Sequence, residues 1–154
     1  MIRPTHFWHW VAVGFGSGLA PKAPGTFGTL AALPVVSVAW WALPTLWYAV
    51  LLLPLFVLGV IASERTARDF GIQDPGAIVI DEWAGLWAGA LFLPFHWLNV
   101  LLLFVLFRLF DIGKPWPVSW ADRRVHGGLG IMLDDLLAGF MTCAVLQLGW
   151  YWLT

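Results

Sequence analysis

All formal charge in this 154-residue chain resides on nine Asp or Glu and eight Lys or Arg side chains, and these are clustered. Arg3 and Lys22 stand near the start, seven charged residues lie from Glu64 to Glu82, and eight lie from Arg108 to Asp135. Three segments of this pattern have the residue types for metal and phosphate chemistry. The first is Gly14–Thr29, G-F-G-S-G-L-A-P-K-A-P-G-T-F-G-T. Its glycines let backbone approach an anion closely, and the helix start that follows offers unpaired N–H groups. No G-x-x-x-x-G-K-[ST] can be drawn in it, so it is not a Walker loop. The plainer alternative is a turn-rich connector with Thr26 or Thr29 as N-cap.

The second segment, Ile80-Asp81-Glu82-Trp83, sets two carboxylates at the start of an apolar helix. Hard divalent cations such as Mg²⁺ take oxygen ligands from one or two carboxylates, with water and substrate phosphate completing the shell. A helix cap answering the macrodipole is the competing explanation. The third segment runs from Arg108-Leu109-Phe110-Asp111-Ile112-Gly113-Lys114-Pro115-Trp116-Pro117 to Asp122-Arg123-Arg124-Val125-His126-Gly127-Gly128 and on to Asp134-Asp135. Arg108 and Asp111 have the spacing of a helical ion pair, and Lys114 has the length to snorkel to headgroups. Asp134-Asp135 repeats the paired carboxylates of Asp81-Glu82, and two such pairs beside basic residues point to a metal site for phosphate chemistry.

The elements that must position these residues follow from composition. The chain is 60% apolar and 11% charged, where a soluble domain carries about 25% charged residues. This predicts an all-α integral membrane protein, organised as one domain over residues 1–154. Net charge near −1 argues against a nucleic-acid partner, and the lone Cys143 excludes an internal disulfide framework. The uncharged stretches predict five short spans near Thr29–Leu43, Leu46–Ala62, Glu82–Leu93, Leu98–Phe110 and Asp135–Trp152. Pro44 marks a hairpin and Pro94 a break between two helices, since proline removes a donor and disfavours helix before it. The N-terminal stretch Arg3–Phe15, with Trp8 and Trp10, predicts an interfacial helix. With five spans Lys22, Arg65, Arg68, Arg108, Lys114, Arg123 and Arg124 share one face and the other carries no Lys or Arg. The positive-inside rule makes the charged face, with its candidate active-site loops, cytoplasmic.

Several phosphatase chemistries are excluded. Cys143 has no Arg six residues on, and Lys114 is not followed by the K-x6-R-P spacing of haloperoxidase-type lipid phosphatases. The D-G-x2-A-R core of CDP-alcohol phosphotransferases is missing, as is a D-x-D nucleophile pair of the haloacid dehalogenase kind. Instead, F-D-x-x-K-P-x-P combined with R-x-H-G-G-x-G-I-M-x-D-D, after Gly14–Thr29 and Ile80–Trp83, resembles the phosphatidylglycerophosphatase A family over nearly the whole chain. The resemblance implies Mg²⁺-dependent hydrolysis of phosphatidylglycerol phosphate to phosphatidylglycerol and inorganic phosphate in the bacterial inner membrane. Joined to the chemistry of the residues, it suggests Asp81, Glu82, Asp134 and Asp135 as Mg²⁺ ligands and Lys22, Thr26, Arg108 and Arg124 as phosphate contacts. Lys114 would stabilise phosphoryl charge and His126 would protonate the leaving oxygen, with Asp111 open as base, ligand or nucleophile. A small transporter for an anionic or phosphorylated solute is the alternative, and it would place its ionisable groups at mid-bilayer on broken helices.

Overall fold

The computed structural model describes residues 2–154, and all regular structure among them is helical. Helix α1 (Phe7–Ala12) leads through a 3-10 segment (Gly14–Leu19) into α2 (Pro24–Ala42) and α3 (Thr45–Phe70). The short α4 (Ile80–Gly89) is followed by α5 (Trp97–Gly113), α6 (Val118–Arg124) and α7 (Gly127–Leu153). Three of these, α2, α3 and α7, are long and apolar enough to cross a membrane. The chain is an all-α integral membrane protein. The expected break at Pro94 is present, but α4 and α5 have only 10 and 17 residues.

Three boundaries differ from expectation by five residues or more. Helix α2 starts five residues earlier than predicted, at Pro24, where the missing proline N–H costs nothing because that donor is unpaired anyway. Neither threonine caps it; the Thr29 hydroxyl donates back to the Gly25 carbonyl at 2.9 Å. Helix α3 continues eight residues past Ala62, through Glu64, Arg65 and Arg68. Charge ended the apolar stretch there without ending the helix. Helix α7 begins at Gly127, so Asp134 and Asp135 lie two turns inside it and not at its start. The glycines before them seat α7 against α3: a Cβ at Gly128 would collide with the Val60 carbonyl, and the Gly128 N–H donates to Glu64 Oε2 at 2.6 Å.

Helix α4 is the core of the molecule, with Ile80, Glu82, Ala84, Gly85, Leu86, Ala88 and Gly89 buried. Its neighbour α7 comes so close that a Cβ on Gly139 would meet the Gly85 carbonyl, and one on Gly85 would lie 2.6 Å from the Asp135 carbonyl. Such small-residue contacts let helix backbones touch where dispersion and packing hold helices together in lipid. They also fix the height of Asp135 relative to Asp81 and Glu82. Helix α1 docks on α3 through His9 Nε2 and Asp69 Oδ2, 2.8 Å apart, and through Arg65 over the Trp8 ring at 4.9 Å. Its outer residues Phe7 and Trp10 are exposed.

Candidate active site

A cavity of about 410 Å³ opens where the first turn of α4, the third turn of α7, the end of α5 and the loop after α3 meet. Its wall includes Asp81, Glu82, Asp111, Lys114, His126, Asp134 and Asp135, so seven of the eleven candidate residues come together. Each of Asp81, Glu82 and Asp135 offers a carboxylate oxygen, and these atoms lie within 4.8 Å of one another. Glu82 and Asp135 are buried, and Glu82 Oε2 and Asp135 Oδ2 have no hydrogen-bond partner. A buried carboxylate oxygen without a donor is costly. Two such groups held beside the half-buried Asp81 carboxylate fit a hard divalent cation, which would supply the missing positive charge.

Asp134 is engaged elsewhere. Its Oδ2 accepts from the Lys114 ammonium at 2.6 Å and its Oδ1 accepts the Asp135 backbone N–H at 3.0 Å. It stands outside the three-acid group, because neighbouring residues on an α-helix point about 100° apart. Lys114 also donates to Asp122 Oδ1 at 3.0 Å. Burial alone would lower the Lys114 ammonium, but the hydrogen bonds and charges of Asp134 and Asp122 outweigh it and hold the group above the ordinary lysine range. The residue caps α5 in a left-handed conformation, φ 45° and ψ 56°, which turns its side chain out of the helix line.

The four residues expected to bind phosphate do not line this cavity. Lys22 and Arg124 are exposed. Arg108 lies behind the acids: its guanidinium pairs with Asp111, approaches Glu82 Oε1 at 3.7 Å and donates to Thr26 Oγ1 at 3.4 Å. Its side chain is 14% exposed, so it serves the carboxylates and has no open face for a substrate phosphate. The glycines of Gly14–Thr29 mostly support close packing. A Cβ at Gly18 would collide with the Ala77 carbonyl and one at Gly28 with the side chain of Val79. Gly25 alone among them abuts the acids, where a Cβ would collide with Glu82 Oε1.

Gln73, Asp74 and Asp122 also line the cavity, and Glu64 pins the start of α7. Nothing in their local sequence marks Gln73, Asp74 or Glu64, and Asp122, though inside the third segment, has no role assigned to it by sequence. Asp122 sits among Arg123 and Arg124 and reads as solvated charge, while Glu64 becomes informative only once α3 extends beyond Ala62.

Apolar helices that close around an acid-rich cavity with a lysine in its wall define a membrane-embedded enzyme of phosphate chemistry. The family model described as Phosphatidylglycerophosphatase A matches residues 10–150, and the chain belongs to that family. It is a phosphatase, which sets aside the transporter alternative. A protein of Escherichia coli (strain K12) named phosphatidylglycerophosphatase A is 45% identical, covering 98% of this chain and 88% of the relative. A protein of the same name from Haemophilus influenzae is 38% identical over 99% of this chain and 93% of its own length. A Bacteroides thetaiotaomicron protein provisionally named a phosphatidylinositol-3-phosphatase is 38% identical, with 90% and 91% covered. No solved structure gives a significant match.

Proposed function

We propose that this chain hydrolyses the terminal phosphomonoester of phosphatidylglycerol phosphate with Mg²⁺, releasing phosphatidylglycerol and inorganic phosphate in phospholipid biosynthesis. The observation that carries this reading is the meeting of Asp81, Glu82 and Asp135 within 4.8 Å, in the same cavity as Lys114. The family assignment supports the substrate, through the names of the two phosphatidylglycerophosphatase A relatives.

Asp81, Glu82 and Asp135 would hold the ion, which supplies Lewis-acid polarisation of the phosphoryl oxygens. Lys114 adds a fixed positive charge beside those oxygens as negative charge builds on them. Asp111, held in place by its ion pair with Arg108, takes a proton from the attacking water. The water oxygen bonds to phosphorus, the ester P–O bond breaks, and His126 gives the departing glycerol oxygen its proton. His126 is exposed beside the cavity, within reach of solvent for reprotonation. Asp134 orients Lys114. Arg108 and Thr26 support the acids from behind, and Lys22 and Arg124 lie exposed outside the cavity lining.

The enzyme is proposed to sit in a bacterial inner membrane with the cavity on the cytoplasmic side, α2, α3, α4, α5 and α7 forming its five membrane helices. From Asp135 to its end, α7 supplies roughly 27 Å of helix at 1.5 Å per residue, close to the thickness of a hydrocarbon core. The carboxylates then lie at headgroup height, where a lipid phosphomonoester is found.

The reaction is tested by phosphate release from phosphatidylglycerol phosphate in detergent micelles, with Mg²⁺ and with EDTA. Release that stops with EDTA and returns with added Mg²⁺ is expected. No release overturns the substrate, and release indifferent to EDTA overturns the metal. Phosphatidylinositol 3-phosphate, offered in parallel, should react at least about tenfold more slowly, the discrimination available to a pocket that reads the headgroup. Topology is tested in a Cys143→Ser background, where Pro44→Cys and Lys114→Cys should label from opposite sides; labelling from one side overturns the five-span arrangement.

A further inference from the structure

We propose that Asp122 is a positioning residue of this site, clamping the Lys114 ammonium against Asp134 so that one N–H remains directed to substrate phosphate. The inference rests on the phosphatase reading of the cavity. An ammonium group has three donors. Asp134 Oδ2 takes one at 2.6 Å from α7, and Asp122 Oδ1 takes another at 3.0 Å from α6. All three side chains line the cavity.

An isolated exposed Lys–Asp pair contributes little, because water competes for both partners and the flexible stem must be ordered. This one is not isolated. The Asp134 side chain is 10% exposed and fixed by the Asp135 N–H, while the Lys114 backbone N–H donates to the Phe110 carbonyl at 2.9 Å. One end of the stem and one side of the ammonium are therefore set, and the remaining freedom is rotation about the Asp134 contact. Asp122 is the carboxylate that removes it. Helix α6 is seated for this task by the buried Val118 and Ala121, which carry Asp122 to the wall of the cavity.

The test uses the full chain with Mg²⁺ and two readouts. In phosphate release from phosphatidylglycerol phosphate, Asp122→Ala should lower kcat about 10-fold with KM changed less than about 2-fold, since the contact is misplaced and not removed. Asp122→Asn, which keeps an acceptor oxygen, should recover most of the loss. In a Lys114→Met background Asp122→Ala should cost nothing more, because the two act as one unit. Independently of activity, acetylation of Lys114 by N-hydroxysuccinimidyl acetate, followed by mass spectrometry, should be at least about threefold faster in Asp122→Ala once the amine is released from one acceptor. Unchanged Lys114 acetylation overturns the clamp, as does an equal loss of kcat in the Lys114→Met background. A parent protein that releases no phosphate would overturn the substrate instead, and the acetylation rates would still decide the clamp.

Discussion

The two ends of the helix bundle are built from the same kinds of residue and treat polar groups in opposite ways. At the end away from the cavity, the Trp40 indole donates to the Leu93 carbonyl at 2.8 Å and Asn99 to the Pro94 carbonyl at 3.0 Å. Tyr48 and Trp87 stack at 4.6 Å between ring centroids, and each donates at 2.8 Å to the other's backbone carbonyl. Gln147 reaches the Leu91 carbonyl at 3.1 Å. The carbonyls of Leu91, Leu93 and Pro94 lie in the turn from Ala90 to His96, where no helix ladder serves them. At the cavity end, Glu82 Oε2, Asp135 Oδ2 and Arg108 Nε are buried without partners, and of the carboxylates of Asp81, Glu82, Asp111 and Asp135 only those of Glu82 and Asp111 lie beside the Arg108 guanidinium. One end is closed by hydrogen bonds; the other keeps unmet charge that a bound cation and a phosphate can satisfy. The contrast separates residues that hold the fold from residues proposed to hold a ligand.

The sharpest way to break this comparison is to neutralise an acid at the cavity end. Asp135→Asn should lower kcat/KM at least about 1000-fold, the scale of several kcal/mol of lost charge stabilisation. Compared in EDTA, its thermal midpoint should hold or rise relative to the parent, because a buried like charge has been removed. Phosphate release and a thermal scan on the same preparation check both; a large loss of stability would make Asp135 a structural residue. Next in size are Asp111→Asn and Lys114→Met, each expected to cost at least about 100-fold in kcat/KM. These residues have different partners, Arg108 for Asp111 and Asp134 with Asp122 for Lys114. The double variant therefore should not regain activity, and recovery would show a mutual charge balance that removes both from the catalytic list.

Removing the proposed metal probes the same end without mutation. Chelation should lower the stability of the parent protein by about 2–3 kcal/mol if Mg²⁺ was present near 100 times its dissociation constant. The same chelation should move Asp135→Asn far less, and equal shifts would place the ion elsewhere. The smallest effect belongs to the closed end. Tyr48→Phe loses one hydrogen bond to Trp87 and should cost about 1 kcal/mol in unfolding by denaturant. Its kcat/KM should stay within about twofold of the parent, as expected for sites that share no partners.

Much of the fold was legible because hydrophobicity and proline act locally. Uncharged stretches longer than a hydrocarbon core mark membrane helices, and Pro44 and Pro94 mark where they turn, whatever the rest of the molecule does. The helix ends were less legible. Charge stops an apolar run at Ala62, but Glu64 and Arg68 are good helix formers, and α3 continues to Phe70. Gly127 and Gly128 look like loop residues to any local rule, yet the contact with Val60 and Glu64 recruits them into the start of α7.

The sequence by itself determined the class of protein, the helical hairpins and the set of residues from which a phosphatase site can be drawn. It could not choose among members of that set, because choice depends on helix phase and on depth of packing. Adjacent Asp134 and Asp135 are equivalent in sequence, but a rotation of about 100° turns one to Lys114 and the other to Asp81 and Glu82. Arg108 and Lys114 are both cations near one helix end, and only the packing of α5 against α2 and α4 puts Arg108 behind the acids and Lys114 in the cavity wall. The close crossing at Gly85 and Gly139 then sets the distance across which those acids meet, a quantity that arises between helices and is written in neither one alone.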